Sequence, residues 1–176
     1  MSRYYLISQL PTLSIDQPPL ITAETFLLLC REQLGPADAC AAEALMTGEP
    51  SAHAFVRAWR GKDTLLRNAI VKARARAAGT DPAQWLRPVQ EDDSQIERFV
   101  EDAFELPNPI RQERALDKTR WAVLEALQGL DPMGINVVLA YAVKLSIAWR
   151  WAALDVKRGR EVFDALTQLP EEQITL

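Results

Sequence analysis

The sequence predicts an all-α fold, a single helical bundle-like domain over residues 1–176 with about seven to nine helices. Three observations lead there. Between Asp63 and Ala78 the apolar residues Leu65, Leu66, Ala69, Ile70, Ala73 and Ala77 recur at spacings of one, three and four, which is one stripe of a helix. Glycines and prolines at Gly35-Pro36, Gly79, Pro88, Leu106–Pro109 and Gly129–Gly134 cut the chain into helix-length pieces. Only Tyr4–Leu10 has the composition of a strand or extended segment, with Pro11 ending it.

Each element follows from its own signals. Pro11–Leu20 contains three prolines and is expected to be an extended loop. Thr22 is the N-cap candidate of the next helix, with Glu24 in its first turn and Ile21 placed to staple onto Phe26; Gly35-Pro36 closes it near Gln33. Asp38 is expected to cap a helix through Met46. Ser51 is expected to open another containing Phe55, Val56 and Trp59, with Gly61 interrupting it and Asp63 capping the next. A short turn holds Trp85 and Leu86. After Glu91-Asp92-Asp93 comes a helix with Ile96, Phe99, Val100 and Ala103 on one side. Leu106–Pro109 is expected to be a hinge joining two sub-bundles within the one domain. A long helix follows from Ile110 to Leu127, another over Ile135–Lys157, and Gly159 precedes a last short one over Glu161–Leu169.

Composition excludes more than it selects. With 48% hydrophobic and 25% charged residues the chain is an ordinary globular sequence, long enough to fold without disulfides or metal. A net charge of -4 and a pI of about 5.1 argue against general nucleic-acid binding. Cys30 and Cys40 are expected to be buried thiols, and with the single His53 they are too few for a zinc site. The apolar run near the N-terminus is broken by Ser8, Gln9 and Pro11 and is too short for a secretory segment. Ile135–Trp151 is interrupted by Lys144 and Arg150, so it is expected to be a core helix and not a membrane span. The expectation is a soluble, cytoplasmic protein that meets a membrane only through a partner.

Charge is unevenly placed. Arg57–Arg87 carries eight Lys or Arg against two acids, a local net of +6, and Pro88–Asp117 carries nine acids against three bases, a local net of -6. Two readings stand at this point. Adjacent helices of opposite charge pair across a hairpin, or a basic face built from Arg57, Arg60, Arg67, Arg74 and Arg76 docks an acidic partner.

No catalytic constellation is visible. There is no phosphate-binding glycine loop and no nucleophile elbow. His53 reads as a surface or half-buried residue near a helix start. Asp92, Asp93, Glu97 and Glu101 read as a solvated acidic face, with a divalent-metal enzyme as the remote alternative. Lys144 is expected to snorkel or to pair with a carboxylate on a neighbouring helix. In Trp149-Arg150-Trp151 one indole is expected in the core, and the other, Trp151 among the partner-binding candidates, at an interface. No catalytic, cofactor or metal residues are expected.

Several stretches together carry a resemblance: Tyr4–Pro11 followed by Pro18-Pro19 and Thr22–Leu27; Trp59–Asn68 running into Lys72–Ala75; and Ala140–Leu145 continuing to Arg150-Trp151 and Gly159. The chain resembles a small bacterial family of unknown function encoded among the genes of V-type (A/V-type) ATP synthases. It looks like a short relative of the C subunit of the V-type ATPase, which in eukaryotes is termed the d subunit. The resemblance implies an all-helical, non-catalytic part that works by protein–protein contact with central-stalk or rotor-ring subunits. Tyr141 and Lys144 would then be structural. The C subunit is longer and funnel-shaped, so 176 residues cannot supply the whole socket. The competing expectation is a helical adaptor or chaperone-like protein with an unrelated partner, marked by Trp59, Trp85 or Trp151 at the rim of an apolar groove.

Overall fold

Capping chemistry sets most helix boundaries in the computed structural model, which describes residues 3–89 and 93–154. Seven α-helices run through them: α1 (Arg3–Gln9), α2 (Ala23–Gln33), α3 (Pro36–Thr47), α4 (Ala54–Ala78), α5 (Ser94–Phe104), α6 (Pro109–Gln128) and α7 (Ile135–Ala152), with a 3-10 turn at Ala83–Trp85. The described residues hold no strand, as expected for an all-α chain. Thr22 Oγ1 accepts from the Thr25 N–H at 3.1 Å and starts α2. Asn108 Oδ1 accepts from Ile110 and Arg111 ahead of Pro109 and starts α6. Gly48 and Gly79 close α3 and α4 with φ of 82° and 66°, the left-handed geometry that glycine adopts without strain.

Several boundaries differ from the sequence expectation, each for a local reason. Tyr4–Leu10, expected to be extended, lies mostly within α1: Leu6 is wholly buried, with Ile7 and Leu10 beside it, so burial of a helical stripe outweighs the strand preference of Tyr and Ile. Gly35, not Asp38, is the N-cap of α3, because Pro36 fits the first helical position; Asp38 falls in the first turn. His53 replaces Ser51 as the cap of α4, its Nδ1 accepting from Phe55 N–H at 3.2 Å. Gly61 does not interrupt α4. A glycine costs about 1 kcal/mol in a helix interior, and burial of Trp59 on one side and Leu66 on the other outweighs that. Asp63 therefore sits mid-helix and caps nothing. Phe99, expected on the inner side of α5, is 40% exposed, and Ala75 takes the buried place on α4 expected of Ala77. Cys30 is buried but Cys40 is exposed. α7 ends at Ala152, capped by Ala153, so the helix stops short of the expected Lys157; the Gly159 bend and the Glu161–Leu169 helix lie outside the described residues.

Two apolar clusters form the core. The first gathers Leu6, Phe26 and Cys30 with Phe55, Val56 and Trp59 of α4, Leu124 of α6 and most of α7. The second joins Leu66, Ala69 and Ile70 of α4 to Ile96, Val100 and Ala103 of α5 and Leu116 of α6. Leu106–Pro109 thus connects two helices of the same cluster, and the passage between clusters runs along α4 and α6. α7 packs on α1, α2, α3, α4 and α6 and is buried on every side from Val138 to Leu145, the pattern of a central helix. Burying a side chain such as Leu139 or Leu145 contributes about 1.5–3 kcal/mol.

Polar pins hold the proline loop to this helix. Tyr141 stacks on Phe26 with ring centroids 5.4 Å apart and donates its hydroxyl to the Pro11 carbonyl at 2.9 Å; Trp149 Nε1 donates to the Ile21 carbonyl at 3.0 Å. Among the described residues no helix is long and apolar enough to cross a membrane.

Candidate functional site: an arginine-lined cleft

The basic stretch of α4 meets the acidic stretch of α5 and α6 side by side. Lys62 Nζ lies 2.9 Å from Asp93, Lys72 Nζ 2.6 Å from Glu97, Arg76 Nη1 3.1 Å from Glu101 and Arg74 Nη2 3.5 Å from Glu113. Most of these groups are well exposed, so each such pair contributes at most about 1 kcal/mol. Asp93 is the exception in role: its carboxylate also caps α5, and the Lys62 hydrogen bond holds its pKa below the ordinary 3.8. Pairing across the hairpin thus accounts for much of the charge split.

Pairing leaves one place where arginines converge. Arg60, Arg67 and Arg74 are spaced seven residues apart on α4, which returns every side chain to nearly the same face after two turns. Arg60 and Arg67 line a cleft of about 510 Å³ together with Arg87 from the loop after the 3-10 turn, Arg120 of α6 and Arg150 of α7. Among the described residues Asp63 is the one acid in that lining, and it is engaged with Arg67 at 2.7 Å and Arg120 at 3.3 Å. Arg60 donates to the carbonyls of Gly48 and Glu49, which neutralise no charge. Arg87 is held by its backbone: the buried Asn68 amide donates to the Arg87 carbonyl at 2.7 Å and accepts from its N–H at 3.0 Å. This two-point clasp fixes the loop as a wall of the cleft, which the exposed Arg87 lines. Five guanidiniums around one carboxylate make a concave region of positive potential within an acidic protein.

A second cleft of about 350 Å³ shares Arg67, Arg87 and Arg120 with the first and adds Arg74, its ion-pair partner Glu113, and Trp85. A third, of about 270 Å³, shares Val71, Arg74 and Trp85 with the second and is otherwise lined by Ala75, Ala78 and Thr80. Trp85 is 52% exposed. The three form one groove along α4, basic at one end and apolar at the other.

Beneath the basic end lies Asp117, a wholly buried carboxylate. It accepts from Arg120 Nη1 at 2.9 Å, from Trp151 Nε1 at 2.7 Å and from Arg150. A buried carboxylate needs its lone pairs filled, and these three donors fill them. The hub ties α6 to α7 and aims Arg120 and Arg150 at the cleft.

The structure sorts the residues singled out in the sequence. Arg60, Arg67 and Arg74 share the groove. Arg76 faces α5, and Arg57 lines a neighbouring cleft of about 500 Å³ with Lys62 and Pro88, which shares Arg60 and Thr64 with the first. Trp151 is half-buried, hydrogen-bonded to Asp117 and covered by Arg114, whose guanidinium carbon lies 4.9 Å from its ring. It shapes the hub and offers little surface. Lys144 pairs with Glu125 at 3.3 Å and lies 5.0 Å from the Trp121 ring; burial pushes its pKa below the ordinary 10.5 while Glu125 opposes that shift. His53 Nε2 lies 3.4 Å from Asp38. Burial pushes the Cys30 thiol up to about 12. Among the described residues no three His, Cys, Asp or Glu side chains are grouped as a metal ion requires, and Asp92 lies outside them.

Sequence reasoning missed Arg87, Arg120 and Arg150 as companions of Arg60 and Arg67. The seven-residue repeat of Arg60, Arg67 and Arg74 was a legible signal; the other three come from elements whose packing no local pattern encodes.

Comparison with family models matches residues 48–173 to the family described as "Protein of unknown function (DUF2764)", and the chain belongs to that family. The match covers α4 to α7 and therefore every residue of the groove except those of α3 that precede Gly48. No curated protein and no solved structure matches the chain.

Proposed function

We propose that this member of a family of unknown function is a non-catalytic contact protein, a subunit or accessory and assembly part of a V-type rotary ATP synthase. The observation that carries the contact reading is the convergence of Arg60, Arg67, Arg87, Arg120 and Arg150 on one cleft. Their charge exceeds what Asp63 and Asp117 neutralise, and an acidic surface seated there would gain both steering and specificity. The rotary-ATPase partner comes from the sequence resemblance to that enzyme's funnel-shaped C subunit, with central-stalk or rotor-ring subunits as the surfaces met. On this reading the protein is cytoplasmic and reaches the membrane only through that complex.

A tagged full-length chain, purified from its native cell under low salt, should recover rotary-ATPase subunits, and the double variant R67E/R87E should lose them. Recovery of none of these subunits overturns the partner assignment. A second reading, an adaptor for an unrelated partner, is favoured by the exposed indole of Trp85 at the groove's apolar end. It is the reading left if the cleft variants lose a captured protein of another kind.

A further inference from the structure

We infer that the groove along α4 receives an extended acidic segment of a partner protein with an apolar side chain at one end. The inference rests on the contact-protein reading above and specifies what is contacted.

The length of the groove decides against a small anion. From Arg60 to Arg74 is fourteen residues of helix, about 21 Å at 1.5 Å per residue. An extended chain covers that distance with about six or seven residues at 3.3 Å each. A single phosphate would engage one or two guanidiniums and leave most of that length empty. The groove also changes character along its length. Arg60 and Arg150 stand at the basic end, Arg67, Arg87 and Arg74 continue it, and Trp85 lines the other end with Val71 and Ala75. Carboxylates meeting the arginines and an apolar side chain covering Trp85 would satisfy both ends at once. A nucleic acid would ask for a basic excess continuing beyond the groove. Here the flanking side chains Lys62, Lys72 and Arg76 are already occupied by Asp93, Glu97 and Glu101, among the described residues Arg57 alone extends the basic end, and the whole chain carries -4.

Fluorescence anisotropy tests this with the full chain and a labelled peptide of about seven residues, a run of glutamates ending in leucine. Binding should weaken as salt rises and vanish for the glutamine version of the peptide. R67E/R87E should weaken it by about tenfold or more, and R76E, on the other side of α4, should leave it unchanged. W85A should weaken the leucine-ended peptide by about fivefold and leave a glycine-ended one unaffected, a difference that loss of fold cannot produce. Circular dichroism checks that the variants fold, and R67Q/R87Q replaces the charge reversal if it does not.

Equal binding of the glutamine peptide, wild-type affinity in the arginine variants, displacement by equimolar inorganic pyrophosphate, or tighter binding of a single-stranded RNA each overturns the inference. The two proposals fail separately. Peptide failure with rotary subunits still recovered from cells removes only this inference; peptide binding with no such recovery removes only the partner assignment.

Discussion

Replacing Asp117 by Asn keeps the volume of the side chain and removes its charge. In the native arrangement the carboxylate, with no exposed surface, takes hydrogen bonds from Arg120, Arg150 and Trp151. The amide of Asp117→Asn offers one oxygen for those three donors and turns an N–H pair toward a guanidinium. Arg150, whose side chain is 55% exposed, can turn to water; Arg120, at 14%, is left with Asp63 at 3.3 Å. Removing one member of a buried pair costs about 3–5 kcal/mol, and the escape of Arg150 puts this case near the lower end, about 3 kcal/mol. In a chain of this length 1 kcal/mol moves the melting temperature by about 2–4 °C, so D117N should melt about 6–12 °C below wild type. Scanning calorimetry and urea unfolding followed by tryptophan fluorescence both read this. R150M serves as the comparison, and its loss should be smaller, about 1–2 kcal/mol, because Arg120 and Trp151 still hold the carboxylate. A D117N loss under about 0.5 kcal/mol would refute the claim that Asp117 is the polar hub of the α6–α7 joint.

Gly61→Ala should stabilise the chain by about 0.5–1 kcal/mol, since a Cβ there meets nothing within 4 Å and the residue is in an exposed helix interior; a lowered urea midpoint would contradict this. Asp93→Ala should cost about 1 kcal/mol through loss of the α5 cap. Because the folded carboxyl titrates below its ordinary 3.8, the wild-type advantage over D93A should be complete above that value and disappear as pH falls through the lower folded value, as followed by unfolding curves across the acid range. A thiol reagent should modify Cys40 in the native protein and Cys30 only after denaturant is added, with mass spectrometry counting the adducts. The raised Cys30 pKa adds an alkaline effect: the unfolded thiol ionises near 9.0 while the folded one holds its proton to about 12, so stability falls as pH rises between them. The fall should be smaller in C30A.

What was legible in the chain was the local chemistry. Thr22 and Gly79 act where the sequence placed them, and the stops at Gly35-Pro36 and Leu106–Pro109 also hold. These signals are decided by a few neighbouring atoms. Where tertiary burial competes with local preference, the sequence misled. Leu6 drags two exposed tyrosines into a helix, and the packed flanks of Gly61 carry α4 through a residue that usually breaks one. The site was half legible for the same reason. Arg60, Arg67 and Arg74 share a helix and therefore a face, whereas Arg87 arrives through the Asn68 clasp and Arg120 and Arg150 through Asp117. Asp117 entered the sequence reading only as one of the nine acids of Pro88–Asp117, and nothing adjacent to it in sequence announced that three donors would surround it.

α4 is 25 residues long, a rod of about 37 Å, and it inserts Phe55, Val56 and Trp59 into one apolar cluster and Leu66, Ala69 and Ile70 into the other. Neither half can therefore melt while the other keeps its axle. Opening the second cluster alone would strand the middle of the rod in water, and releasing the first would uncover three large side chains. The molecule should behave as one foldon, its slowest amide exchange centred on the turns between Trp59 and Leu66 and proceeding at the rate of global unfolding. Those same turns carry Arg60 on their surface. An occupant of the groove would thus grip the least yielding backbone in the protein, and force applied through it would be borne by both clusters together.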